Sequence, residues 1–460
     1  MTNMGSKVVV FSGGTATNSL TPCFNAIAKV PGADVTYVLP ISDNGGSTSE
    51  ILRILGGPAI GDIRSRIVRI MQDSALAGLF AHRLADHPLR AKHEWNDIVD
   101  GSHSVWRQVP VEVKEMCRAF IIHIQAELLK KSKNAHSFQY EKASVGNLFM
   151  TGARLFLGSL DASIELMMRI GRVSPNTHVI PCINTNHTHH ISALLTNGDV
   201  ITGQSQISHP AARPGSSDSD CSVVSNSSRA TIQAKRNDFV HLMEDPLDSM
   251  VEAEQAEELE FANPVYILPE LKNSQLHFSK VDDDTRLPAP IRRIIYINPY
   301  GEEVKPLGNS RAISKLKQAN LIIYSIGSLM TSLMPIIILG NFADTISRAA
   351  TAHKVLIVNN AYDRETDGIV GVDYIKVVVE SMTRALVDYR GAKGTPITDP
   401  HAVPWRSFIT DIVYLEGGEI QMDWAQISEE HGIACHPINS AMLDNDTLQQ
   451  VLQQISARPV

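Results

Sequence analysis

Three short stretches carry the residue types from which phosphate and metal chemistry is built. The first is Ser12-Gly13-Gly14-Thr15-Ala16-Thr17-Asn18, directly after the apolar run Val8–Phe11. Without a Cβ, glycine lets a ligand approach the backbone, and the N–H groups opening a helix attract anions. Gly13, Gly14 and Thr15 therefore read as a backbone cradle, with Asn18 beside it. The second stretch is Asp43-Asn44-Gly45-Gly46-Ser47. Asp43 next to a helix start can hold a metal ion or a ribose hydroxyl. The third is Gly61-Asp62-Ile63-Arg64-Ser65-Arg66, where cations oppose the helix dipole but suit a phosphate. Further turns add Gly146 and Asn147, then Gly327, Ser328, Thr331 and Ser332, then the loop carboxylates Asp363, Glu365 and Asp367. Small-residue and acidic turns that follow buried strands of one sheet converge on one crevice, where they suit a phosphate-bearing ligand. Neither the P-loop signature nor the dinucleotide glycine triplet is present, which weakens an NAD-dependent oxidoreductase.

The elements that must position these residues are also legible. Apolar β-branched runs recur at 8–11, 35–41, 292–297, 320–326, 354–360 and 411–417, separated by helix-like segments. This pattern predicts an α/β fold, Rossmann-like, with a mainly parallel sheet covered by helices on both faces. Ligands of such sheets bind beyond the carboxyl ends of the strands, where the small-residue turns fall. Ser47 and Glu50 have capping-box spacing, and Asp62 reads as an N-cap. The uncharged stretch 321–343 is long enough to span a bilayer, but Gly327-Ser328, Thr331-Ser332 and Pro335 favour a buried strand, a turn and a helix start. His187 and His189 read as a polar strand start rather than a metal site.

At 460 residues, 43% hydrophobic and 20% charged, the chain has a globular composition. A formal net charge of −8 argues against a nucleic-acid partner. The cysteines Cys23, Cys117, Cys182, Cys221 and Cys435 are dispersed, which fits a reducing, cytoplasmic setting, and no signal-peptide pattern opens the chain. From about 210 to 289 the sequence turns serine-rich, then acidic, with eight carboxylates and no basic residue over 244–260. Such composition predicts a largely disordered insertion that a regulatory partner could engage, within one discontinuous domain of 7–209 and 290–460.

The segments FSGGTATNSL, SDNGGSTSEIL, GDIRSRIV, SVGNL, ISALLTNGDVITGQSQIS, IGSLMTSLMP and ETDG occur here in the order of the CofD/YvcK family, which the chain resembles over about 7–209 and 290–385. That family holds 2-phospho-L-lactate transferases and gluconeogenesis factors. The resemblance implies a nucleotide or nucleotide-linked ligand at the sheet edge, facing Gly13 to Thr15 and Asp43 to Ser47. Asp62, Gly146-Asn147 and Gly327-Ser328-Thr331-Ser332 would complete the pocket. Transferase relatives move a phospholactyl-type group from a guanosine-diphosphate-linked donor to a hydroxyl, with Mg2+ and release of GMP. Such transfer needs positioning, charge neutralisation and a carboxylate, so the resemblance implies Asp43 for the metal, Asp62 to orient the attacking hydroxyl or shape its loop, and Arg64 for phosphate. The bacterial branch instead resembles a nucleotide-sugar sensor. A homodimer is left open. Ala16 stands where the family usually has glycine, and Ser325-Ile326 replaces a common Gly-Pro.

Overall fold

Val8, Val9, Val10 and Phe11 are all buried, as a strand covered on both faces requires. In the computed structural model, which describes residues 6–13, 16–43, 45–131, 138–208, 286–298 and 300–460, they form β1 (Lys7–Phe11). Gly14, Thr15, Asn44 and nearly all of the 210–289 insertion lie outside the described residues.

β1 is an interior strand of a seven-stranded sheet whose neighbouring strands all pair in parallel. The chain runs from β1 to β2 (Asp34–Leu39) and, after a long helical crossover, to β3 (Thr177–Pro181). It then enters a separate antiparallel sheet of β4 (His190–Leu195), β5 (Val200–Thr202), β6 (Ile291–Ile297) and β7 (Glu303–Val304). It returns with β8 (Leu321–Tyr324) beside β1 and steps outward through β9 (His353–Ile357), β10 (Asp411–Leu415) and β11 (Ala434–Ile438). Strand order therefore reverses between β1 and β8, where a doubly wound sheet opens a crevice at its carboxyl edge. The two strands end level: Phe11 pairs with Tyr324, and Ser325 N–H donates to Phe11 O at 3.0 Å.

The helices around this edge are α1 (Thr21–Ala28), α2 (Gly46–Leu55), α3 (Gly61–Ile70), α4 (Ser74–Ala81), α5 (Pro88–Asp100), α6 (Val111–Lys131), α7 (Val145–Leu157) and α8 (Leu160–Ile170). Pro22 falls in the first turn of α1, where its missing N–H is harmless.

Four expectations need correction. The run 292–297 is β6, antiparallel to β4 rather than part of the parallel sheet, because an apolar run does not encode its partner's direction. Ser47 and Glu50 do not box the start of α2: Gly45 precedes the helix, Gly46 opens it with φ 55°, and Glu50 instead pairs with Arg53 at 2.6 Å. Asp62 is not the cap of α3 but its second residue, after Ile60 and Gly61. Gly146 and Asn147 lie not in a turn but in the first turn of α7, which Ser144 caps.

The apolar stretch 321–343 divides into β8, a π-helical turn Leu329–Leu333, the short helix Met334–Ile337 and the start of Gly340–Arg348, with a 73° bend between the last two segments. Among the described residues no single helix is long and apolar enough to cross a membrane.

At the opposite, amino-terminal edge, the buried Asp411 carboxylate bonds His353 Nδ1 and His436 Nε2, each at 2.9 Å, Thr410 Oγ1 at 2.7 Å, and Arg458. Burial alone would raise its pKa, but the hydrogen bonds of His436, Thr410 and His353 prevail and hold it down at about 2. This network ties β9, β10, β11 and the C-terminal helix Asn445–Ala457 together, far from the strand ends that face the crevice.

Candidate functional site

The crevice is built by close backbone approach at β1 and β8. A Cβ on Gly13 would lie 2.7 Å from Ser332 Cβ and 3.1 Å from Pro40, so only glycine fits without displacement. Gly327 has φ 139°, a conformation that suits glycine, and its missing Cβ faces Gly13 O at 3.4 Å. Thr17 Oγ1 donates to Ile326 O at 2.5 Å, clasping the two turns across the sheet's switch point. The π-helical turn then brings Thr331 and Ser332 back against them; such turns recur at functional sites because they aim side chains that a regular helix would turn away. Ser325 Oγ, at the end of β8, is buried without a partner among the described residues. A buried hydroxyl left unsatisfied is costly, and a bound ligand would relieve it.

Around this pair of turns, α3 is the organising element. Asn18 Nδ2 donates to Ser65 Oγ at 3.1 Å, and Arg66 reaches Thr17 O and Ser12 Oγ, each at 3.5 Å. Gly61 lies so close to α2 that a Cβ would meet Thr48 Oγ1 at 2.8 Å. Arg64 Nε donates to Asn147 Oδ1 at 3.1 Å, and Asn147 Nδ2 donates to Ser47 Oγ at 2.7 Å. Asn147 is fully buried and thus ties α2, α3 and α7. A Cβ on Gly146 would strike Phe80 O at 2.3 Å and Arg64 Cδ at 2.9 Å, so this glycine makes room for the arginine. Burial, helped by Arg83 and opposed by Asp62, pushes the Arg64 guanidinium down to about 10. Asp43 is half-buried after β2, and its Oδ1 accepts the Gly45 N–H at 3.0 Å.

Thr331 faces the ETDG loop. Its N–H donates to Glu365 Oε2 at 2.9 Å and its hydroxyl to Oε1 at 2.6 Å, while Ser208 bonds the same carboxyl. Burial, reinforced by Asp363 and opposed by these bonds, pushes Glu365 up to about 7. Glu365 therefore acts as an internal staple for the β8 turn.

The structure thus gathers Gly13, Asn18, Gly327 and Ser332 at the crevice, joined through α3 to Gly61, Arg64, Gly146, Asn147 and Ser47. Ser328 accepts the N–H groups of Ser332 and Leu333 inside the turn. Gly14, Thr15 and Asn44 fall outside the described residues. Motif reading overlooked Asn359, which grips Gly327 from both sides, accepting its N–H at 3.1 Å and donating to its carbonyl at 2.8 Å. Its position near the end of the run 354–360 was the available signal, because that strand end shares the crevice.

Two other features lie apart from the crevice. His82, Glu94 and His103 present ligand atoms within 4.8 Å of one another, but His103 Nδ1 accepts the Val105 N–H, which leaves the proton on the nitrogen nearer Glu94. A metal-bound histidine needs that nitrogen bare. A cavity of about 210 Å³ lies between β6–β7 and the helix Asp373–Ala392, lined by Tyr296, Leu307, Arg384 and Tyr389 among others. Its lining includes neither Gly13, Gly327 nor the π turn that mark the strand ends.

Three comparisons agree with this architecture. The chain is 60% identical over 453 residues to Uncharacterized protein YNL011C of Saccharomyces cerevisiae, covering 98% of this chain and 100% of that one. It is 39% identical over 95 residues, 20% of this chain and 28% of the other, to a Gluconeogenesis factor of Listeria monocytogenes. The solved structure of protein BH3568 from Bacillus halodurans shares the fold with a TM-score of 0.55 at 16% identity, over 97% of this chain and 99% of that one. The sequence model of the family described as "2-phospho-L-lactate transferase CofD" matches residues 8–403, from β1 through the whole crevice. A sheet reversing between β1 and β8, glycines clasped at that point and a family match across all of it lead to one assignment: the chain belongs to the CofD family.

Proposed function

We propose that the crevice between β1 and β8 binds the phosphates of a nucleotide-linked ligand and that the protein is a transferase. In this reading a phospho-acyl-type group leaves a nucleoside-diphosphate-linked donor for a hydroxyl acceptor. The acceptor oxygen bonds the transferred phosphorus as the bond to the nucleoside monophosphate breaks. Residues 7–209 and 290–460 would work as one discontinuous domain.

The observation that carries the reading is the pairing of Gly13 and Gly327, each lacking a side chain where the other strand's turn approaches. Gly327 and the neighbouring Ile326 and Ser328 stay partly exposed above buried Gly13, where backbone would meet an anion, and α3 begins nearby with Asp62 and Arg64 in its first turns. Arg64, fixed by Asn147, would neutralise phosphate charge, and Asp62 would orient the acceptor hydroxyl or take its proton. Asp43 would hold Mg2+: its half-buried carboxylate at the end of β2 offers the hard oxygen ligand such a cation takes, the remaining ligands commonly coming from phosphates and water. When bound, Mg2+ would draw charge from the phosphate oxygens.

A second reading is favoured by the Gluconeogenesis factor similarity: a non-catalytic sensor of a nucleotide or nucleotide-sugar, read out by a partner at the 210–289 insertion. The two separate by turnover. Wild-type protein with Mg2+ is offered nucleoside-diphosphate-linked donors and hydroxyl acceptors, and nucleoside monophosphate is followed by chromatography. Release that needs both substrates and disappears in Asp43→Asn supports the transferase. Tight binding with no release from any pair refutes it and leaves the sensor.

A further inference from the structure

Arg66 stands out as a buried charge with no ion-paired carboxylate among the described residues, Asp62 acting on it only through space. It is 1% exposed. Its guanidinium bonds Thr21 Oγ1, reaches Thr17 O and Ser12 Oγ, each at 3.5 Å, and lies 4.8 Å over the Tyr37 ring. Among the described residues its Nε has no partner. Hydroxyls, a carbonyl and a π face supply dipoles at contact distance, and Asp62 adds an attraction short of an ion pair. A cation held this way weakens the unliganded fold, because desolvation is only partly offset.

Its location gives that cost a use. Ser12 and Thr17 stand on either side of the small-residue stretch that follows β1, and the guanidinium reaches both of them. Ser12 Oγ accepts from Arg66, which leaves the Ser12 hydrogen to donate. Arginine suits the place better than lysine, since its planar fork reaches several oxygens while its face stacks on Tyr37.

We propose that Arg66 is a buried electrostatic anchor that makes the β1–β8 crevice selective for multiply charged phosphates over singly charged or neutral ligands. The inference rests on reading that crevice as a phosphate site. Arg66 is a positioning residue: it acts through the turn and through Ser12, and it presents fixed positive charge that needs no rearrangement when an anion arrives. The anion adds negative charge near a cation that Asp62 alone attracts through space without an ion pair, so occupancy should stabilise the protein more than its other contacts would.

The test uses the full chain and its Arg66→Met and Arg66→Lys variants. Pyrophosphate, GDP and guanosine are titrated calorimetrically at low and high salt, and unliganded melting temperatures are recorded. The proposal expects Arg66→Met to melt at or above the wild-type temperature while binding pyrophosphate about tenfold or more weakly, the loss of a fixed charge that acts on the anion through the turn. Its salt dependence should flatten, and Arg66→Lys should retain most of the affinity. Wild-type affinity in Arg66→Met overturns the proposal. So do equal losses in Met and Lys with lowered melting temperatures, which would make Arg66 a packing residue only. If the wild type binds neither pyrophosphate nor GDP, the phosphate reading of the crevice falls and the anchor falls with it. If the wild type binds GDP but Arg66→Met binds it equally well, the crevice reading stands and the anchor alone is refuted.

Discussion

Glu365 gives the account a pH dependence whose sign and size can be stated. Its carboxyl is buried, and its pKa rises from the model-compound value of 4.5 to about 7, chiefly through loss of hydration. A group whose pKa is raised on folding adds its full stabilisation below its unfolded pKa and loses it as pH rises through the folded value. Stability should therefore fall between about pH 4.5 and pH 7, by about 3 kcal/mol in all at roughly 1.4 kcal/mol per unit. The substitution to make is Glu365→Gln. A glutamine oxygen still accepts the Thr331 N–H, and its amide still bonds the hydroxyls of Thr331 and Ser208, which can turn to accept. Urea unfolding followed by tryptophan fluorescence at several pH values from 5 to 8 compares the two proteins. The variant should lose most of this decline and be the more stable protein at pH 8. Parallel wild-type and Glu365→Gln curves across that range would refute the reasoning. They would mean either that Glu365 is ionised throughout or that its proton has no influence on the fold.

Other outcomes follow from the same geometry. Gly13→Ala forces a methyl against Ser332 and should cost about 1–3 kcal/mol in thermal unfolding while closing the crevice to nucleotides in calorimetry. Asn147→Ala removes bonds to both Ser47 and Arg64; urea titration should show a loss of about 1–3 kcal/mol, and Arg64 should lose its fixed position. Asp411→Asn strips the carboxylate from His353, His436 and Arg458. It should destabilise by about 3–5 kcal/mol near neutral pH and abolish the acid-side loss that the wild type shows as pH falls from about 4 towards 2.

Much of the fold was legible in the sequence because a parallel sheet buries its strands on both faces. Runs such as Val8–Phe11 and Leu321–Tyr324 cannot be solvent-facing, and the small-residue turns after them mark the carboxyl edge. What the runs do not contain is pairing. Ile291–Ile297 reads like its parallel counterparts but pairs antiparallel with β4, since strand direction depends on distant chain rather than on local pattern. Helix starts were misjudged for a related reason. Ser47 and Asp62 have the residue types of caps, but tertiary contacts move the starts to Gly46 and Gly61, with Ser47 facing Asn147. At the site, glycines and acids announced themselves by type. Arg66 was seen only as one of two cations in a turn; its burial, and the grip of Asn359 on Gly327, exist only after folding.

The central claim is that ligand phosphates sit between β1 and β8. A crystal structure of the protein soaked with GDP and Mg2+ tests it most directly. The account predicts phosphate oxygens within hydrogen-bonding distance of backbone N–H groups in the turns carrying Gly13 and Gly327, with Arg64 facing them and the metal on Asp43. Phosphates bound only in the cavity between β6–β7 and the helix Asp373–Ala392, with the strand-end crevice bare, would contradict it.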